Sequence, residues 1–390
     1  MRLATLAVLV SLIAVACATS VDPTTPGSTA PADPPTTLQF QEPTIPPDVD
    51  TSSHSVPLEE VYFDTFDGGS VRLSDSTADL RAALLDVIPP IDQPVYGDAS
   101  TGDWLDPNDL VLGYIAADQA YAYPFKILNF HEIVNDVLGG IPVLISYCPL
   151  CRSGIVYDRR LGGDVLSFGN TSALYESDLV MVDRGTGSYW WQVAGTAIVG
   201  PLTGAALEPL PSTVSTWEDW IALYPDTLLL SRDTGHDRPY ERDVFASYAD
   251  SVDAGQFPFP VGEAALDDRL AASALVVGVS LGGNTRAYPV DGLTEPINDE
   301  VGGTPIVLLP TDGGAAVFGA TIDGDVLQFE QTAGQLLDTA TGSVWTATGI
   351  AVSGPLAGAA LEPLPSRTTF WFAFVGAFPD TELFSGLPTR

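Results

Sequence analysis

The sequence predicts a β-rich α+β protein made of two tandem homologous β-rich units in a pseudo-two-fold arrangement, with a few short helices. Three observations lead there. Long segments of the first half recur in the second. Runs rich in Val, Ile, Tyr and Phe, such as Gly154-Ile-Val-Tyr-Asp158, are broken by Gly, Pro and Asp, the punctuation of strands and tight turns. Helical periodicity is confined to brief stretches.

Taken in chain order, residues 1–16 carry one positive charge, at Arg2, and then an apolar run ending at Val15. That run is too short for a resident transmembrane helix and long enough for the core of a signal peptide. It closes with Ala14-Val15-Ala16-Cys17, small residues directly before a cysteine, the arrangement of a bacterial lipobox with Cys17 as the lipidated first residue of the mature chain. Plain secretion with cleavage at an Ala-x-Ala-like site is the other reading of these residues. Two acyl chains make attachment stable, so the expected location is the extracytoplasmic face of a bacterial membrane, held by a lipid anchor. Residues 17–57 are mostly Pro, Thr, Ser and Asp and cannot bury enough apolar surface to offset chain entropy, which predicts a disordered tether with His54 solvated in it.

The remaining chain divides into a first unit at 58–231, a connector at 232–273 and a second unit at 274–390. The hydrophobic content of the full chain, 45%, is that of a globular protein. The full chain has 50 acidic residues against 15 basic ones, Lys126 being the only lysine, for a formal charge of −35. A field of that sign repels nucleic acid and anionic lipid headgroups and excludes both as partners. No Asp-x-Asp-x-Asp loop of the EF-hand type is present, so the acidity reads as a strongly solvated surface suited to a salty medium.

The recurrences fix the units. Tyr121-Ala-Tyr-Pro124 returns as Arg286-Ala-Tyr-Pro289, and Asn135-Asp136 followed by Gly139-Gly140 returns as Asn298-Asp299 followed by Gly302-Gly303. Thr186-Gly-Ser188 with Trp190 returns as Thr341-Gly-Ser343 with Trp345, and Gly200-Pro-Leu through Leu-Pro-Ser212 returns as Gly354-Pro-Leu through Leu-Pro-Ser366. Helices are expected over 76–87, in a short piece within 125–138, and over 216–224, where Thr216 can cap and Glu218 and Asp219 sit in the first turn.

A duplicated fold keeps its scaffold in both copies, whereas chemistry can survive in one. His131, Cys148, Cys151, Met181 and Arg184 have no counterpart in the second copy, which reads as a degenerate, structural half. Two cysteines separated by two residues can chelate a metal, close a disulfide or exchange electrons. Outside the cytoplasm a disulfide is the ordinary expectation, although so small a loop favours a labile bridge over a staple. His131 alone is more often a core histidine, and Met181 and Trp190 are more often packing; it is the joint absence of the unique residues from copy two that raises them to a candidate site.

At these residues the chain resembles a bacterial and archaeal family of extracytoplasmic proteins known as domain-of-unknown-function family 3179. The resemblance rests on Ala-Tyr-Pro before the His131-Glu-Ile-Val-Asn-Asp136 block, on Tyr147-Cys-Pro-Leu-Cys-Arg152, and on Ser177-Asp-Leu-Val-Met-Val-Asp-Arg184 continuing through Ser188 and Trp190 to Gln192. It implies an exported protein and lends no established reaction.

A thioredoxin-like oxidoreductase needs a helix after the first thiol, but Ser153-Gly-Ile-Val-Tyr-Asp158 reads as turn and strand. No Gly-x-Ser-x-Gly elbow supports a serine hydrolase, and a structural zinc site would want two more Cys or His. The expected centre is a soft-metal site, with copper the favoured ion, held by Cys148, Cys151, His131 and Met181, or else a redox-active pair. Glu132, Asn135 and Asp136 would fix the imidazole, and Tyr123, Arg152, Asp183, Arg184, Ser188, Trp190 and Gln192 would form the surrounding pocket. The alternative is a non-catalytic surface lipoprotein, stapled by a disulfide, that binds a protein or glycan partner. For the anchor, Cys17→Ser is expected to release the protein into the medium; fractionation after a high-salt wash checks this, and a variant that stays with the membranes refutes the lipoprotein reading.

Overall fold

The computed structural model describes residues 45–386. The expected signal peptide, Cys17 and most of the tether lie outside the described residues. The chain is β-rich, with five short α-helices among the described residues, none of them long and apolar enough to cross a membrane.

Strand order follows the recurring segments. In one sheet Ser212–Thr216, Leu110–Ala116, Gln119–Pro124 and Leu228–Leu230 lie side by side in that order. In another, Arg367–Phe370, Leu275–Leu281, Asn284–Pro289 and Glu382–Leu383 do the same. In both, the last pairing is parallel and the others are antiparallel. Meanders follow: Ile133–Leu138, Ile141–Cys148 and Ser153–Asp158 in the first half, and Ile297–Val301, Thr304–Thr311 and Gly314–Gly319 in the second. The hairpin turns Gly139-Gly140 and Gly302-Gly303 have φ of 58° and 83°, and 57° and 80°; left-handed backbone at two successive positions is what a two-residue turn matched to strand twist requires, which explains the recurring Gly-Gly.

Buried polar fasteners recur with the strands. Asn135 exchanges two hydrogen bonds with the Phe168 backbone (2.8 and 2.9 Å), as Asn298 does with Phe329 (2.8 and 2.7 Å). The Trp190 indole donates to Asp183 at 3.0 Å, and the Trp345 indole to Asp338 at 3.0 Å. Ser188 and Ser343 each accept at 3.0 Å from the backbone N–H of Leu202 and Leu356. Each fastener satisfies polar groups that burial would otherwise leave unpaired.

The halves are stitched at two places. Thr368 pairs with Gly154, so strands of both halves share one sheet. At that junction the Cys151 carbonyl accepts from the Phe370 N–H (2.8 Å) and the Thr369 hydroxyl (3.0 Å). At the other, the Thr216 N–H donates to the Asp312 carbonyl and the Thr311 hydroxyl to the Val214 carbonyl, each at 2.8 Å.

The helices form near where the sequence places them. Helix Trp217–Leu223 starts on Thr216, whose hydroxyl accepts from the Asp219 N–H. Helix Ala78–Leu84 is shorter than the expected span, because the chain leaves it at Leu85 and Asp86 turns into left-handed backbone at φ 52°. Phe125–Leu128 makes a single turn. The tether departs from expectation at its end. Val49 is buried, Gly200 donates its N–H to the Ser53 carbonyl (2.8 Å), Ser55 donates to Ile198 (2.9 Å), and Asp48 pairs with Arg81 at 2.6 Å. His54, exposed as expected, nevertheless sits in a bridge to Val199. One buried valine and edge pairing hold what composition alone assigns to a disordered segment.

Gly113 and Gly278 each lie under a helix ring, where an added Cβ would overlap the Trp220 indole or the Phe374 ring. Gly113→Ala and Gly278→Ala are therefore each expected to destabilise the fold by about 1–3 kcal/mol, measured by urea unfolding; unchanged midpoints would refute the close approach.

Candidate metal centre

Both cysteines sit on one hairpin. Strand Ile141–Cys148 ends on the first thiol, and the turn closes through Cys151 N–H to the Cys148 carbonyl and Arg152 N–H to the Pro149 carbonyl, each at 3.3 Å. Strand Ser153–Asp158 then leaves, which confirms that no helix follows the thiols. Cys148 and Cys151 are both buried and carry free thiols. The Cys151 thiol donates to the Ser177 carbonyl at 3.4 Å.

The third member comes from another hairpin. Glu176 and Ser177 have φ of 54° and 57°, a two-residue turn of the same left-handed kind, and strand Asp178–Asp183 begins directly after it. This places the Asp178 carboxylate at the thiols: ligand atoms of Cys148, Cys151 and Asp178 lie within 4.8 Å of one another, and the three could hold a metal ion. Asp178 is fully buried. Its Oδ2 accepts from the Val193 N–H at 2.8 Å, whereas Oδ1 makes no hydrogen bond. Residues of the connector close over the site, for Ser177 donates its hydroxyl to the Phe259 carbonyl (2.7 Å), and Val252 and Ala265 share a core cluster with both thiols.

Glu132 stands beside this group. Its backbone is left-handed at φ 59°, and its Oε2 accepts from Asn170 Nδ2 at 2.6 Å. Asn170 belongs to a bulge, where the register of Phe168–Tyr175 slips before Ala173. The matching hairpin of the second half, Phe329–Thr332 with Gln335–Asp338, pairs without a slip. Bulges of this kind re-aim side chains beside functional sites.

Burial dominates the electrostatics. It raises the Cys148 and Cys151 thiols above the ordinary thiol range. It pushes Asp178 up to about 6, against the Val193 N–H and the neighbouring thiols, and Glu132 up to about 8, against the Asn170 amide. No ion pair joins any of the four to a basic side chain among the described residues. Without a counter-ion the two thiols and Glu132 hold their protons at neutral pH; a cation bound by the thiols would displace theirs, so metal affinity and pH are coupled.

The structure separates the other expected residues. His131 is fully buried, but its Nδ1 lies 2.7 Å from the Pro89 carbonyl and its Nε2 2.6 Å from the Tyr240 hydroxyl, so both ring nitrogens are engaged away from the thiols. The His236 ring lies near it, tilted by 46°, with the ring centroids 5.5 Å apart. The shell expected to fix the imidazole does other work: Asn135 bonds Asp92 and Phe168, and Asp136 accepts from Tyr96 at 2.6 Å. Tyr123 joins Tyr96 at 2.8 Å. Asp183, Ser188 and Trp190 are the recurring fasteners, and Arg184 pairs with Asp86 and Asp92. Gln192 lies close to the turn, accepting from the Ser153 hydroxyl at 2.6 Å and donating to Ser146 at 2.9 Å. Met181 shares the buried cluster of the thiols. Asp178 is the residue that sequence reasoning missed. The signal was present in the comparison of copies, since Asp178 pairs with Tyr175 at the hairpin position where Gln335 pairs with Thr332.

The family described as "Protein of unknown function (DUF3179)" matches residues 85–381, well over half of the chain. No curated protein and no solved structure matches.

His131 makes a pH test. Burial holds its pKa at about 4 against an ordinary 6.5, the Pro89 carbonyl opposing. Folding thus favours the neutral ring: its contribution is full above about pH 6.5 and is lost as pH falls through about 4, about 3 kcal/mol in all. Asp178 and Glu132, with raised values, act in the opposite direction, so the comparison is between variants. His131→Gln should lose less stability than the unsubstituted protein between pH 7 and pH 4.5 in urea unfolding; equal losses would refute a buried neutral imidazole.

Proposed function

We propose that this chain, which belongs to the DUF3179 family of proteins of unknown function, is an exported, lipid-anchored protein that binds a thiophilic metal ion through Cys148, Cys151 and Asp178. The observation that carries the reading is the trio of buried ligand atoms within 4.8 Å, one of them beside a carboxylate oxygen that no donor satisfies. Two thiolates and a carboxylate are a donor set for zinc or a similar divalent ion. Such an ion offsets the buried negative charge and leaves a fourth tetrahedral position open, the pattern of catalytic rather than structural zinc. The sequence favours cuprous copper through His131 and Met181. With the imidazole engaged by Pro89 and Tyr240, only the thiols and the nearby thioether support that ion. A reversible disulfide is the competing use of the two free thiols.

The second half, in this reading, is a duplicated partner in a pseudo-two-fold arrangement that supports the first. The matched fasteners and the two stitches between halves support it. The lipid anchor at Cys17 would hold the centre at the extracytoplasmic face of the membrane.

Reduced protein is expected to bind one zinc or cobalt(II) ion per chain, with a thiolate-to-cobalt charge-transfer band. Cys148→Ser and Cys151→Ser should each weaken binding at least ~100-fold, and Asp178→Asn about 10–100-fold, while His131→Gln leaves it unchanged. Absence of stoichiometric binding, or indifference to Asp178→Asn, would overturn the site. Tighter cuprous than divalent binding would return it to copper.

A further inference from the structure

A surface pocket of about 240 Å³ lies against the thiol-bearing turn. Tyr147, Pro149 and Arg152 line it, so Pro149, between the two cysteines, borders whatever enters. Phe125, Phe370 and Tyr248 are among its walls. The Phe125 and Tyr147 rings lie 4.4 Å apart, an apolar surface suited to a flat body. Two features of these walls have no explanation in packing.

The first is Arg152. Its backbone is held at φ 48°, left-handed conformation that glycine adopts freely and an arginine adopts at a cost of about 1 kcal/mol or more. The guanidinium so placed has no ion pair and no hydrogen bond among the described residues. Of the other charges on the lining, Lys126 is paired with Asp109 at 2.6 Å, and Asp243 is an exposed, solvated carboxylate that accepts from the Phe245 N–H at 3.0 Å and has no ion pair, so Arg152 must hold an anion by direct contact against it. The second is Tyr248, whose hydroxyl is buried and has no partner. It comes from the connector, the segment that has no second copy.

We infer that this pocket binds a small organic anion with a flat or apolar body, its head group on Arg152 and its body against the aromatic walls. Such a head group takes the two parallel N–H donors of a guanidinium, which a lysine could not present. The acidic surface does not forbid this, since at physiological ionic strength its field fades over about 8 Å, whereas Arg152 acts in direct contact. An occupant would rest on the Cys-Pro-Leu-Cys turn, beside the proposed metal. Its recognition uses none of the metal ligands, so it holds whichever way the metal test falls.

Three probes of one shape separate the outcomes on the full chain: 2-naphthoate, neutral 2-naphthamide and cationic 2-naphthylmethylammonium, measured by calorimetry. Naphthoate should bind at least about tenfold tighter than the other two. Arg152→Gln should abolish that preference and leave naphthamide binding as it was, which shows at once that the pocket is intact. Cys148→Ser should keep the preference while losing the metal, so that failure of one reading is distinguishable from failure of the other. Equal or tighter binding of the amide or the ammonium, persistence of the preference in Arg152→Gln, or no binding of any probe at millimolar concentration would overturn the inference.

Discussion

The Cys151 carbonyl, accepting from both the Phe370 N–H and the Thr369 hydroxyl, is the contact on which much else depends. It ties the turn that carries the thiols to a strand more than two hundred residues away in sequence. A two-residue spacing of cysteines at the tip of a free hairpin would be mobile. Here the tip is held by the second half from one side, by the Ser177 carbonyl at the Cys151 sulfur from another, and by Gln192 behind it. That fixation holds the Cys148, Cys151 and Asp178 side chains together through contacts of the fold itself, so the ordering entropy of the group is met within the chain.

Polar residues in this molecule divide into two kinds by the same physical rule. A buried polar group must be satisfied, and where both copies carry it the partner is part of the scaffold: Asn135 and Asn298 on backbone, Asp183 and Asp338 on indole. Among polar groups without a counterpart in the second half, His131, Arg184 and Gln192 are engaged, whereas Asp178 leaves one oxygen and the connector's Tyr248 its hydroxyl without a hydrogen bond, and Arg152 has no ion pair among the described residues. Glu132, Arg152 and Ser172 have left-handed backbone outside two-residue hairpin turns. Trp191 Nε1 and Ser280 Oγ are also buried without a hydrogen-bond partner, so the unpaired groups are few among the described residues but not confined to one turn.

Much of the architecture was legible. β-rich composition, the Gly-Gly turns, Thr216 as a cap and the core position of Trp190 follow from local rules, because strand alternation, turn backbone and helix capping are decided within a few residues. The end of the tether was not legible, since Val49 and the pairing of Ser53 and Ser55 with the 198–200 segment depend on an edge distant in sequence. Nor was the ligand set. His131 looked like a ligand because it is unique to one copy and close in sequence to Glu132, yet a one-residue step into left-handed backbone at Glu132 sends the two side chains to different partners.

By itself, then, the sequence determined the class of fold, the recurrence of its parts, the membership of its family and the pair of thiols on a turn between strands. Those are properties of residue type and spacing. The tertiary structure alone decided that Asp178 completes the group, that His131 is engaged by Pro89 and Tyr240, and that Arg152 lines an aromatic pocket over the thiols. The reason is distance along the chain: Asp178 approaches the cysteines only because the turn at Glu176 and Ser177 meets the one at Cys148 and Cys151, and no local pattern encodes which turns will meet.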